Sequence, residues 1–405
     1  MTDIFTDVVI VGCGVGGLYT ALNLPRDKQI LMICKTDRES CDSMLAQGGI
    51  CVLRGEDDYD AYFEDTLRAG HYENRRESVD LMIRKSRAVI DDLQRLGVEF
   101  NKNPDGSLQY TREGAHSRPR ICFHEDITGK AITTVLQARV AELPNVTLRE
   151  YTVMTDILIE NGACTGIAAA APDGDILHIH APDTVMATGG IGGLYEHSTN
   201  FPCLTGDALT VSREHGVKLE HLDYVQIHPT ALYTEKPGRC FLISESARGE
   251  GAVLLNEKGE RFVNELLPRD VVSKAIAAQM RAENTRHVWL SFAAIPRETI
   301  LHHFPHIRDR CLQEGYDILK EPIPVVPAQH YFMGGVWVDM DSQTSMPHLY
   351  AVGETSCNGV HGKNRLASNS LLESLVFAQK AAENIVETRK GSCDHEPDHH
   401  AACCG

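Results

Sequence analysis

Residues 7 to 17 read DVVIVGCGVGG, and LYTALNLP follows at once. A β-branched apolar run that passes straight into glycines and then into a helix-forming stretch leaves few folds open. Gly12, Gly14 and Gly17 match G-x-G-x-x-G. The first glycine permits the tight turn, the second lets the backbone approach a pyrophosphate, and the third lets helix and strand pack closely. The helix N-terminus then offers unpaired N–H groups and the positive end of its dipole to phosphates. Pro25 stops the helix, and a second apolar strand, QILMIC, runs from Gln29 to Cys34. Strand, glycine turn, helix, strand is the order of a Rossmann-like α/β fold with a dinucleotide site.

The acid that commonly ends the second strand and holds the ribose hydroxyls of NAD is absent, and Lys35 stands in its place. Two further segments, VMATGG at 185 to 190 and LYAVGE at 349 to 354, each read as a short strand running into glycine. Three such turns spread along the chain suggest one long ligand lying across several strand ends, as FAD does.

With 405 residues the chain has room for two or three cores. Charged residues at 23% and hydrophobic ones at 42% are ordinary for a globular protein. The net charge of -17 disfavours nucleic acid or an anionic membrane surface as the main partner, while leaving room for a basic pocket inside an acidic protein. The start lacks a basic n-region and apolar core, and no apolar run approaches the ~20 residues of a membrane span. Thirteen cysteines, an odd number, fit reduced thiols in the cytoplasm better than a disulfide framework.

Helical spacing is expected from Asp60 to Gly97, with Gly97 as a stop, and again over GKAITTVLQARVAEL before Pro144. Between Val146 and Val185, Asn-Gly at 161 and Asp-Gly at 173 signal antiparallel hairpins. Residues 222–330 mix strands and helices and read as an inserted α+β domain. The nucleotide-binding part then comprises residues 1–221 and 331–391, closing with a helix from about Ala367 to Arg389. The tail, residues 392–405, carries Cys393, His395, His399, His400, Cys403 and Cys404. Its spacing fits no zinc pattern, so a disordered tail and no dedicated metal site are expected.

Several segments combine polar side chains with a turn: QIHPTA at His228, SESARGEG around Glu245 and Arg248, PRD at Arg269, PAQH at His330, and HGKNRLASNS around Arg365. Taken singly, each suits a structural histidine or a surface ion pair. Together, guanidinium forks and neutral imidazoles suit a pocket for a small dicarboxylate. Glu245 and Arg248 are spaced to share a helical face and relay a proton. In TREGAHS, Glu113 stands among Arg112, His116, Arg118 and Arg120 and needs a cation to face. An ion pair with Arg118 or Arg120 would satisfy it, and so would a cation arriving with a substrate.

AQGGI, TREGAHS, ATGGIGGLYEHSTN, HPTAL, RGEGA, PRD and NRLASNSLLES, in this order, resemble the flavoproteins of the succinate dehydrogenase and fumarate reductase superfamily. Within it the resemblance is greatest to the L-aspartate oxidase family, and it covers Asp7 to Arg389 without that family's C-terminal helical domain. Ser244 stands where threonine is usual, and Ala115 where glycine is usual. The resemblance implies an FAD-binding domain with an inserted capping domain. Flavin contacts would come from Gly12, Gly14, Gly17, Lys35, Ser43, Gln47, Gly48, Gly49, Thr188, Gly189, Gly190, Asp207, Glu354, Asn369, Ser370 and Leu371. It implies substrate carboxylates held by His228, Ser244, His330 and Arg365, and proton transfer by Glu245, Arg248 and Arg269. Arg269, a poor base, would act as an acid or as electrostatic support.

Glu113 would face the α-ammonium of L-aspartate, the position not being acidic in enzymes of succinate and fumarate. Asp42 occupies the place of the histidine to which the superfamily joins its flavin, implying non-covalent FAD. The implied reaction is L-aspartate to iminoaspartate with oxygen or fumarate as acceptor, at the head of quinolinate and NAD formation and with a functional link to quinolinate synthase. Two alternatives are a soluble fumarate-reducing or succinate-oxidising flavoprotein, and an electron-transfer subunit docking an iron-sulfur partner.

Overall fold

The computed structural model describes residues 1–236 and 238–393. A five-stranded parallel sheet runs in the order Leu349–Ala351, Asp183–Met186, Val8–Val11, Ile30–Ile33, Val146–Arg149. Apart from the edge strand Val146–Arg149, its strands are buried at every position, as required of a parallel sheet covered on both faces. Alternation sorts the side chains. Val8, Ile10, Ile30 and Met32 pack with the helices Val15–Asn23, Arg76–Leu96 and Ser370–Cys393. Val9, Val11, Leu31 and Ile33 pack against a second sheet ordered Thr2–Phe5, Ile176–His180, Ala163–Ala170, Val153–Glu160.

The expected hairpins are in that second sheet. Asn161 and Gly162 both take positive φ, 51° and 81°, the backbone of a tight turn matched to strand twist. The strand Val146–Arg149 does not join them. It pairs in parallel with Ile30–Ile33, because the helix Thr128–Ala141 carries the chain across as a crossover.

Helical boundaries shift where the backbone turns left-handed. The stretch from Asp60 to Gly97 is two helices, Tyr59–Ala69 and Arg76–Leu96, interrupted at His71 and Tyr72 with φ 58° and 60°. Gly97, at φ 108°, caps the second one as expected. The last helix begins at Ser370 rather than Ala367 because Ser368 sits at φ 62°, and it continues past 391 to Cys393. The Cys/His-rich tail from Asp394 onward lies outside the described residues. Among the described residues no helix is long and apolar enough to cross a membrane.

Residues 225–332 build a separate antiparallel sheet, ordered Phe241–Leu242, Val225–Leu232, Ile323–Phe332, Val288–Ser291, Val253–Leu255. With the helices Arg269–Glu283, Arg297–His303 and Pro305–Gln313 it encloses its own apolar core. The strand Ile323–Phe332 extends past residue 330 and enters the nucleotide side. Pairing with Val225–Leu232 is irregular between His228 and Ala231, where Pro229 supplies no N–H. Such irregularities re-aim side chains beside a site.

One carboxylate ties the two parts together. Asp126 is buried, and its oxygens accept the N–H groups of His306 at 3.3 Å and Ile307 at 2.6 Å, at the start of the helix Pro305–Gln313. His306 Nδ1 lies 2.7 Å from the same carboxylate. Glu125 is also close, but with both Asp126 oxygens engaged on the helix this group is a cap. Asp126→Ala is expected to lower stability by about 1–3 kcal/mol, through the lost cap and unpartnered helix N–H groups; a urea midpoint equal to wild type would contradict this.

Candidate active site

At the end of the strand Val8–Val11 the chain turns at Gly12, φ 120°, where a Cβ would stand 2.0 Å from the Ala187 carbonyl oxygen. A Cβ on Gly17 would meet the Gly12 carbonyl at 2.2 Å. Gly12 is therefore demanded by the chain leaving the neighbouring strand and Gly17 by close packing of helix on strand, and Gly17 lies behind the cleft rather than in its wall. Gly14 lines it, with the Ser43 hydroxyl alongside accepting the Val15 N–H at 3.1 Å.

The cleft continues past Lys35, Gln47, Gly48, Gly49, Thr188 and Gly189. Lys35 is tied to Asp207 at 2.9 Å and to the Thr205 hydroxyl at 2.7 Å, which places Lys35 and Asp207 together on one wall. Gly190 is a packing position, since a Cβ there would lie 2.3 Å from Glu354 Oε1. Glu354, Ser370 and Leu371 face the cleft. Asn369 does not. Its side chain is buried against Tyr62 Oη at 2.7 Å and Thr66 Oγ1 at 3.3 Å, a scaffold for the turn beside it.

Farther along the same cleft lie Glu113, His228, Ser244, Glu245, Arg269, His330 and Arg365. Arg269 opens the helix Arg269–Glu283 and pairs with the buried carboxylate of Glu245. Arg248, one helical turn beyond Glu245, stands 3.4 Å from the same oxygen and donates to the Glu265 carbonyl at 2.7 Å. It is fully buried behind Glu245 and does not reach the cleft. Although burial opposes ionisation, Arg269 and then Arg248 hold Glu245 below the usual glutamate range.

Gln226, quoted in its motif but given no role by the sequence, joins two arginines. Its Oε1 accepts from Arg269 Nη1 at 2.9 Å and from Arg365 Nε at 3.3 Å, and its amide donates to Asn364 and to the Arg365 carbonyl, both at 2.8 Å. His228 Nδ1 accepts the Thr230 N–H at 3.1 Å, so the tautomer carries its proton on Nε2. That nitrogen is buried without a hydrogen-bond partner among the described residues. Burial, then Arg269, holds both His228 and His330 well below the usual imidazole range, making neutral rings the stable form. The rings cross at 5.0 Å, and Thr199 fixes His330 at 2.7 Å.

Neither neighbouring arginine pairs with Glu113. Arg118 pairs with Asp57 at 3.0 Å, and Arg120, wholly buried, bridges Asp58 and Asp65 at 2.9 and 2.7 Å. Glu113 is 3% exposed. It accepts hydroxyls from Ser246 at 2.8 Å and Ser368 at 2.5 Å, and no cation among the described residues forms an ion pair with it. Burial, then Glu245, raises its proton affinity. Glu113 also abuts Gly48, whose Cβ would fall 2.2 Å from Oε1. The sequence could not place these serines, which are 133 and 255 residues away.

Residues 7–371 match the family model for an FAD binding domain. The chain is 50% identical to an L-aspartate oxidase of Clostridium perfringens over 94% of this chain and 86% of that one. It is 48% identical to one of Clostridium acetobutylicum over 95% and 88%. The chain belongs to the L-aspartate oxidase family of FAD-binding flavoproteins. Its backbone superposes on a variant of the E. coli quinol fumarate reductase subunit FrdA with a TM-score of 0.90, at 31% identity, covering 98% of this chain and 72% of that one.

FAD is the cofactor, and the first half of the cleft fits it. Gly14, Gly48, Gly49 and Gly189 keep the walls low, and the buried Gln47 Oε1 and Asp42 Oδ2 have no hydrogen-bond partner among the described residues. Asp42 Oδ1 accepts the Phe201 N–H at 2.9 Å. Burial lifts Asp42 to about 7, against the N–H of Phe201 and Arg239. In the unfolded chain an aspartate ionises near about 3.9, so stability falls as pH rises from there through about 7 and stays lower above it. Asp42→Asn keeps the Oδ1 acceptor and cannot ionise. It is expected to match wild type at about pH 4 and to exceed it by roughly 2–4 kcal/mol at about pH 8; denaturant unfolding at both pH values reads the difference.

Proposed function

We propose that this chain oxidises L-aspartate to iminoaspartate, with oxygen or fumarate as final acceptor. The observation that carries the reading is Glu113, a buried carboxylate with hydroxyl but no cationic partners, set in the same cleft as Arg269, Arg365 and His228. A dicarboxylate alone would leave Glu113 buried against more negative charge. An amino-dicarboxylate brings the missing ammonium and forms a charge-assisted hydrogen bond.

In this reading Arg365, His228, Ser244 and His330 hold the two substrate carboxylates. Gln226 keeps Arg365 and Arg269 in fixed relation, so the guanidinium forks are oriented before the substrate arrives. The neutral His228 offers an Nε2–H without adding an acid to the site. Arg269, in contact with Glu245 and through it with Arg248, lies on a path for moving a proton between the cleft and the interior, and as a cation it stabilises the carboxylates. Residues 222–330 act as the cap over the cofactor side, excluding water. FAD, held along the walls kept low by Gly14, Gly48, Gly49 and Gly189, would supply the acceptor for the hydride of the substrate Cα.

FAD is held without a covalent bond, a carboxylate at Asp42 standing where the superfamily uses a histidine. The product is then a substrate for quinolinate synthase, at the entry to NAD formation, and the free thiols fit a reducing cytoplasm. Glu113 argues against the succinate-oxidising reading.

Anaerobic mixing with L-aspartate is expected to bleach the flavin, and mixing with succinate is not. Glu113→Gln should lower kcat/KM for L-aspartate by about a hundredfold while fumarate reduction persists; equal losses with both substrates would sink the assignment. Acid precipitation should leave a colourless pellet and a yellow supernatant.

A further inference from the structure

Ser246 is buried, and although both its neighbours Ser244 and Glu245 face the cleft, Ser246 does not. Its hydroxyl accepts from Ser244 Oγ at 3.1 Å and donates to Glu113 Oε1 at 2.8 Å. Ser244 Oγ in turn accepts the Ser246 N–H at 3.2 Å as the cap of the helix Glu245–Gly249. A short hydrogen-bonded chain therefore connects a hydroxyl on the cleft wall to the carboxylate that forms no ion pair among the described residues. The second Glu113 oxygen is held by Ser368, whose backbone is left-handed, φ 62°.

Each carboxylate oxygen thus has one hydroxyl donor and retains a lone pair for an incoming donor. We infer that Ser246 is a positioning residue for substrate selection: it aims and keeps ionised the Glu113 carboxylate that receives the substrate ammonium. The inference rests on the L-aspartate reading above.

The groups facing Glu113 remain in place when the hydroxyl is removed. They are Glu245, which disfavours its ionisation, Arg269, Arg248 and Arg365, which favour it, and the Cys51 thiol. Without Ser246, Oε1 loses its hydroxyl donor and Glu113 takes up a proton more readily. Its ionised fraction at a given pH falls, so the acid limb of kcat/KM for L-aspartate moves to higher pH. At high pH the carboxylate ionises in both proteins and the gap narrows. Fumarate carries no ammonium, so its reduction does not call on this carboxylate.

The test uses the FAD-loaded full chain as wild type, Ser246→Ala and Ser246→Thr, with L-aspartate oxidation and dye-driven fumarate reduction measured from about pH 6 to 9. Ser246→Ala is expected to lose roughly ten- to a hundredfold in kcat/KM for L-aspartate at about pH 6. It should approach wild type at about pH 9 and keep its fumarate activity, with Ser246→Thr restoring the wild-type profile. An L-aspartate profile unchanged in Ser246→Ala overturns the inference, as does a loss equal at every pH and shared with fumarate. A wild type that leaves its flavin oxidised with L-aspartate but turns over fumarate overturns the underlying reading instead.

Discussion

Arg269 reaches Glu245 and Gln226 from the first turn of its helix, and through these contacts the two halves of the molecule share one charge network. Glu245 belongs to the inserted sheet region. Gln226 also holds Arg365, which precedes the helix closing the nucleotide side. Like charges on Arg269 and Arg365 repel, and burial pushes Arg365 down to about 10. A neutral amide shared between the two guanidinium groups holds them in one geometry without cancelling either charge. Arg269 and Arg365 are thus propped by a shared amide, and one carboxylate, Glu245, rather than a partner for each, offsets their charge.

Two buried glutamates divide the electrostatic work. Glu245 sits against two arginines and stays ionised, whereas burial and then Glu245 draw Glu113 toward its protonated form against the pull of the Ser368 and Ser246 hydroxyls. Environments that push two carboxyls apart assign them different tasks. On the proposed reading, one balances protein charge and passes a proton, and the other receives the ammonium of the substrate.

Local contacts explain what the sequence discloses. The turn at Gly12 and the stop at Gly97 depend on neighbours within a few residues, so their spacing alone carries them. The break at His71 and Tyr72 and the late start at Ser370 depend on left-handed non-glycine residues, which no apolar periodicity records. Val146–Arg149 reads as a strand in the sequence, but its partner is chosen by the crossover helix before it. Around the site, residue types pointed to a dicarboxylate pocket. They could not announce that Arg118 and Arg120 are spoken for by Asp57, Asp58 and Asp65, nor that Ser246 and Ser368 close around Glu113 from distant segments.

Gly48 belongs at once to the glycine turn that borders the cofactor cleft and to the floor beneath Glu113, where even a methyl group would collide with the carboxylate. One atom's worth of space thus serves two ligands. With Glu113 as the proposed amino-group subsite, mutational drift in this chain cannot remodel the cofactor wall at that point without disturbing the subsite, nor enlarge the subsite without pressing on the cofactor. Cofactor and substrate preference are consequently inherited together here, which narrows the routes by which descendants of such a sequence could acquire a new substrate.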